Sequence, residues 1–320
     1  GSEMCIRDRE ACVANLVGPG DRVLCCIHGY FGNRIRQMCD RQEAEVTSIE
    51  GEWGQPTDPD RIEAALKQSE YKIITVVHAE TSTGVQQPME EIARLAKDHG
   101  AMVLLDTVTS LGGVAVDVDE WGVDAAYSCS QKCIGCPPGL SPVTFSDRAI
   151  ERMKSRTTPV RSWYLDAQLL DEYWSESHSY HHTSSSTLNY GLLEALLLAH
   201  EEGIENRFVR HLKNHHALVA GVEAMGLQMH VAPEYRLPML NTVRIPAGVD
   251  DAVLRRHLLV NFNLEIGGGL GELKDKVWRI GLMGHSSSPE KILFLLSAMN
   301  VALAAQGVKT DLAGGQDVAM

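Results

Sequence analysis

The chain has 320 residues, 44% apolar and 22% charged, and 29 basic against 42 acidic residues leave a net charge of −13. That size and composition suit one large or two unequal globular units, and the negative charge argues against nucleic acid or an anionic membrane surface as a partner, since both need a basic face. No run approaches the roughly 20 apolar residues of a membrane span.

Residues 1–10 carry little helical or strand pattern and read as an atypical leader, an added or assembly-derived segment. All eight cysteines lie in the first half, from Cys5 to Cys136, and read as reduced thiols of a cytosolic or organellar compartment rather than a disulfide framework. Residues 71–77 are β-branched and predict a buried strand. A polar turn follows, Pro88 opens a helix with Ile92, Leu95 and Ala96 on its apolar face, and Gly100 ends it. Residues 101–105 predict the next buried strand, stopping at Asp106. This β-α-β unit implies a parallel sheet with a right-handed crossover. Short strands at 125–128 and 143–145 come next, then a long helix at 188–202. The character changes around 201–210, after which a helix, a strand at 241–245, a helix at 250–260, a strand at 276–282 and a helix at 289–304 are expected. The fold class is α/β: a large domain over 11–205 with a mainly parallel sheet, a smaller C-terminal α+β domain over 206–305, and a flexible tail over 306–320.

Open α/β sheets bind ligands at the carboxyl ends of their strands. Three polar segments converge there: His78 to Ser82, Asp106 to Val108, and Ser128 to Lys132. Lys132 follows small polar residues and precedes the rigid Pro137-Pro138-Gly139. A surface lysine is the bland reading; a lysine forming a Schiff base with pyridoxal 5′-phosphate (PLP) is the functional one. Asp106, ending an apolar strand, reads equally as a helix cap, a loop ion pair, or the carboxylate that keeps a pyridine nitrogen protonated.

The runs His78-Ala79-Glu80-Thr81-Ser82-Thr83-Gly84-Val85, Leu105-Asp106-Thr107-Val108-Thr109-Ser110-Leu111-Gly112-Gly113, Ser128-Cys129-Ser130-Gln131-Lys132 and Pro137-Pro138-Gly139 resemble the class V aminotransferases, within them the alanine–glyoxylate/serine–pyruvate family. Tyr180-His181-His182-Thr183 and Val277-Trp278-Arg279-Ile280-Gly281-Leu282 add two further matches, in family order. The resemblance implies PLP-dependent transferase fold type I. It implies that Lys132 binds PLP and moves the substrate proton, and that Asp106 pairs with the ring nitrogen. Val108 and Phe31 would cover the two ring faces, Phe31 standing where the family more often has tryptophan. Thr81 would meet the ring's 3-oxygen region and Gln131 the phosphate. Tyr180 and Thr183 would reach the phosphate in the partner subunit, making a homodimer with shared active sites. Arg279 would clamp the substrate carboxylate. Without the resemblance, Phe31 reads as core, the segment from Tyr180 to Thr183 as a polar loop with structural histidines, and Arg279 as a surface ion pair.

The implied activity is ping-pong transfer of an amino group from alanine or serine to glyoxylate or pyruvate, with small amino-acid and 2-oxo-acid substrates. Serine–glyoxylate or ureidoglycine–glyoxylate transamination, or a lyase reaction, are close alternatives; the Tyr-His-His-Thr run leans toward alanine–glyoxylate. A zinc or thiol-redox protein built on Cys133-Ile134-Gly135-Cys136 lacks a second ligand pair in the sequence, and a cofactor-free paralogue is opposed by the retained Lys132 and Asp106. One departure stands out. The family's Ser/Thr-Gly loop, which opens a helix and offers its N–H groups to the PLP phosphate, is replaced by the leader ending Arg7-Asp8-Arg9. The expectation is a chain lacking its N-terminal part, with weakened or absent activity.

Overall fold

The computed structural model describes residues 4–176 and 178–320. A six-stranded sheet is built from β1 (Arg22–Ile27), β2 (Glu45–Glu50), β3 (Ile73–Val77), β6 (Met102–Asp106), β7 (Ala125–Tyr127) and β8 (Val143–Phe145), in the order β2-β1-β3-β6-β7-β8. A short hairpin of β4 (Ala79–Glu80) and β5 (Val85–Gln86) follows directly on β3. A three-stranded antiparallel sheet in the C-terminal part has the order β10 (Gly267–Gly268), β11 (Val277–Gly281), β9 (Leu240–Arg244). The helices are α1 (Met4–Leu16), α2 (Tyr30–Arg41), α3 (Pro59–Gln68), α4 (Glu90–Asp98), α5 (Asp147–Lys154), α6 (Ala167–Trp174), α7 (Ser186–Glu202), α8 (Ile204–Ala224), α9 (Asp251–Phe262), α10 (Pro289–Ala304) and α11 (Leu312–Ala319).

β3 and β6 pair in parallel with α4 between them, as expected, but α4 begins at Glu90 with Met89 as its N-cap, so Pro88 precedes the helix rather than opening it. Every residue of β3 is buried, as a central strand covered on both faces requires, and Gly100, at φ +68°, closes α4. Two apolar clusters sandwich the sheet, one containing Leu16, Val23, Ile73 and Leu104, the other Leu24, Ile74, Ile92 and Leu105. A third, around Trp278, Leu258 and Leu296, fills the C-terminal part. No described helix is long and apolar enough to cross a membrane.

The sheet is mainly parallel, as expected: β2, β1, β3, β6 and β7 run parallel, and only the edge strand β8 pairs antiparallel, with β7. Two terminal segments are more regular than expected. The leader does not stay irregular, because residues 4–16 form one helix and Arg9 anchors it in the interior. The flexible tail folds as α11, packed on α8 and α10. Gly221 and Gly315 allow that contact: a Cβ on Gly315 would stand 2.9 Å from the Gly221 carbonyl oxygen, and one on Gly221 would stand 3.0 Å from that of Gly315.

Candidate active site

The carboxyl ends of β3, β6 and β7 lie side by side, with Val77 opposite Asp106 and Asp106 opposite Tyr127. They open onto a cavity of about 180 Å³ lined by Arg9, Phe31, Val77, Ala79, Thr81, Asp106, Val108, Thr109, Gln131 and Lys132. Six predicted site residues, namely Lys132, Asp106, Val108, Thr81, Gln131 and Phe31, therefore share one space. Lys132 is half-buried, and its ammonium makes no hydrogen bond or ion pair with a described residue. Its amine is thus directed at the cavity without a fixed acid partner.

Arg279 does not line this cavity. Its guanidinium reaches from β11 to the carbonyl oxygens of Gly268 (2.7 Å) and Thr81 (3.2 Å), directly beside the wall that Thr81 forms. Tyr180 and Thr183 are exposed, and their hydroxyls lie 3.0 Å apart. Neither lines the cavity of its own chain.

Asp106 is held from three sides. Its Oδ1 accepts from the Val108 N–H (2.9 Å), and its Oδ2 accepts from the Tyr127 hydroxyl (2.7 Å) and from Arg9 Nη2 (2.8 Å). Both charged partners are almost fully enclosed, Arg9 at 1% and Asp106 at 2% exposure. Burial works against the Arg9 charge, but Tyr127 and Asp106 outweigh it and hold its pKa above the ordinary arginine value. Arg9 also lies over the rings of Phe31 (5.3 Å) and Tyr127 (5.7 Å). Of the three readings of Asp106, the ion pair is the one formed here, and it is internal rather than in a loop.

That pairing also tests whether PLP fits. The Arg9 guanidinium is a planar cation that donates an N–H to Asp106 while it lies against Phe31, so it stands in for the protonated ring nitrogen. Thr109 adds a buried Oγ1 with no hydrogen-bond partner among the described residues. The ring end of the cofactor therefore fits, once Arg9 withdraws. The phosphate end differs from the family pattern: α1 runs unbroken through Glu10, so backbone N–H groups from Asp8 onward are committed inside the helix.

Glu80 was quoted in its motif without a role, and the structure supplies one. Its carboxylate accepts from the N–H groups of Phe31 (3.1 Å), Gly32 (3.3 Å) and Ser82 (3.0 Å) and from the Ser82 hydroxyl (2.6 Å). Ser82 in turn accepts from the Tyr30 N–H. The hairpin thus caps α2 and seats Phe31 over the cavity. Burial pushes the Glu80 carboxyl above its ordinary range. Glu80→Ala is expected to cost about 3 kcal/mol in urea unfolding, because several buried donors lose their acceptor together. Glu80→Gln, which keeps an oxygen, is expected to cost less. Tyr127 was likewise unassigned, although its place at a strand end beside Asp106 was a usable signal.

The cysteines with described side chains are buried and form no disulfide with one another. The Cys133 thiol donates to the Thr109 carbonyl (3.1 Å), and the described residues contain no group of three His, Cys, Asp or Glu side chains able to hold a metal.

A mainly parallel α/β sheet thus brings a lysine and a buried carboxylate to one cavity at its carboxyl edge. The class-V aminotransferase family model matches residues 10–268. The chain belongs to this family and is an aminotransferase of PLP fold type I. It is 37% identical over 312 residues to the (S)-ureidoglycine–glyoxylate transaminase of Bacillus subtilis (strain 168), covering 92% of this chain and 75% of the relative. It is 39% identical over 310 residues to the alanine–glyoxylate aminotransferase of Drosophila melanogaster, covering 95% and 79%. Among solved structures, the alanine–glyoxylate aminotransferase of Nostoc sp. superposes with a TM-score of 0.90 at 50% identity, covering 92% of this chain and 78% of that one.

Proposed function

We propose that this chain transfers an amino group from alanine or serine to glyoxylate or pyruvate, with PLP held by Lys132. The observation that carries the reading is the shared cavity, with Lys132 and Asp106 facing it between Phe31 and Val108. Bound there, PLP supplies an aldehyde that takes up the substrate amine and a ring that accepts the electrons of the Cα–H bond. Lys132 Nζ then removes the Cα proton and returns it when the second substrate is converted. Asp106 would pair with the ring nitrogen, its carboxylate kept in place by the Tyr127 hydroxyl and Val108 N–H. Phe31 and Val108 would cover the ring and exclude water. Thr81 would hold the 3-oxygen region and Gln131 the phosphate. Arg279 turns from its carbonyl partners to the substrate carboxylate, where a fork of N–H donors matches two oxygens.

The same reading makes the working unit a homodimer. Tyr180 is 75% exposed, and Leu193 (53%) and Leu196 (50%) leave an apolar face of α7 uncovered. A second copy would cover that face and bring its Tyr180 and Thr183 to the phosphate. Ureidoglycine–glyoxylate transamination is the second reading, favoured by the Bacillus subtilis relative.

The test is an absorption titration with PLP, borohydride trapping and peptide mapping, followed by a panel of amino donors with glyoxylate. A reduced adduct on Lys132 and turnover with alanine or serine are expected. No adduct, or an adduct on another lysine, would refute the assignment. Sedimentation should give a dimer.

A further inference from the structure

α7 and α8 meet at Gly203, whose φ of +81° breaks the helix. Around this break lie Glu202, Arg207 and Arg210. Arg207 is 2% exposed, yet most of its donors go to backbone. Its Nε donates to the Gly112 carbonyl (3.1 Å), and Nη2 donates to the carbonyls of Cys133 and Ile134. Its remaining arm pairs with Glu202 (3.0 Å). No backbone N–H of a described residue reaches any of the three carbonyl oxygens. Buried carbonyls are almost always satisfied, and here one guanidinium satisfies all three.

These carbonyls belong to the two segments that carry the reacting groups. Cys133 and Ile134 are the two residues after Lys132, and Gly112 closes the segment that begins at Asp106. The other oxygen of Glu202 binds Arg210, which donates to Gly284 (2.9 Å) and Ser287 (2.8 Å) in the turn after β11. His211 Nε2 accepts from the Gly284 N–H (3.1 Å), while its Nδ1 lies 2.7 Å from the Arg207 carbonyl oxygen. The ring is therefore the neutral Nδ1–H tautomer, and burial lowers its pKa to about 4. The turn packs tightly on the lysine loop, since a Cβ on Gly284 would stand 3.2 Å from Gly135 Cα.

We infer that Arg207 is a positioning residue for Lys132. It fixes the peptide planes that follow the lysine, ties them to the Asp106 segment, and through Glu202 and Arg210 links both to the β11 turn. The inference rests on Lys132 being the cofactor lysine. Without Arg207, the loop must rotate its carbonyls toward water, and the Lys132 amine loses its aim at the cavity.

The test uses the full chain with PLP and Arg207→Met, which keeps length and packing but no donor. Three readouts are followed: the rate of adduct formation at Lys132, kcat against KM for the amino donor, and amide exchange at Gly135 and Cys136, whose N–H groups bond to Lys132 and Ser130. A fall of about ten- to hundredfold in adduct rate and kcat is expected, because small misplacements of a reacting group have effects of that size. KM should stay within about twofold, and exchange should quicken at those two amides while β3 and β6 stay protected. Arg207→Lys, with one charged donor, should recover part of the rate; it carries the same test if Arg207→Met does not fold. An unchanged adduct rate in the variants overturns the inference alone. Absence of a Lys132 adduct in the unmodified chain overturns the cofactor reading and this inference with it.

Discussion

Lys132→Ala is expected to abolish the borohydride-trapped adduct and to lower transamination by at least about a thousandfold. Two contributions are lost together: the covalent attachment that presents the cofactor and the base that moves the Cα proton, the latter alone worth roughly 10²–10⁴. The fold should not suffer. Lys132 is half-buried and its ammonium makes no ion pair or hydrogen bond with a described residue, so stability should change by no more than about 0.5 kcal/mol. Residual turnover should rise when a small primary amine is added, since the missing function is a proton acceptor. Mass spectrometry of the reduced protein, stopped-flow absorbance and urea unfolding measure the three parts. A trapped adduct of equal yield in the variant would place the cofactor lysine elsewhere.

Asp106→Asn should separate the two duties of this carboxylate. The substitution keeps the side chain's shape but removes its charge, leaving Arg9, at 1% exposure, as a buried cation without its counter-ion. Loss of one member of a buried pair typically costs about 3–5 kcal/mol, and that destabilisation is expected in urea unfolding. Adding Arg9→Met should recover most of it, because an apolar replacement of the whole pair is often close to neutral. Transamination should not recover. It should stay down by about a hundredfold or more, the usual cost of losing a placed charge at the reacting centre. Arg9→Met alone gives the complementary result. Asp106 then lacks a cation until PLP arrives, so PLP should raise the melting temperature of this variant more than that of the parent chain. Equal shifts would mean that Arg9 does not compete for the ring-nitrogen position.

The β3-α4-β6 unit was readable because its signals are local: a β-branched run, a proline just ahead of a helix, a glycine just after its end. Lys132 and Asp106 could be singled out because each lies in a recognisable run, Asp106 at the end of β6 and Lys132 in the loop that follows β7. The direction of β8 was not readable, since a three-residue strand has the same pattern whichever way it pairs. Arg9 escaped notice because burial of an arginine depends on a partner 97 positions away. The Glu202-Arg207-Arg210 cluster showed only as a change of character near residue 205; its meaning lies in carbonyls of distant loops. Residues 306–320 read as a flexible tail, whereas the missing side chain of Gly315 is what lets α11 approach α8.

The capping of α2 by Glu80 and Ser82 has a consequence for the order of assembly. A helix normally carries its own cap within a residue or two of its start, so its first turn closes quickly. Gly29 has no side chain to offer, and the caps come from residues 48 to 52 positions later in the chain. The first turn of α2 can be secured only after β3 has docked beside β1 and brought its hairpin across. Long-range closures of this kind are slow steps. The Phe31 wall of the cavity therefore depends on β3 standing beside β1, although Phe31 itself lies in the helix that directly follows β1.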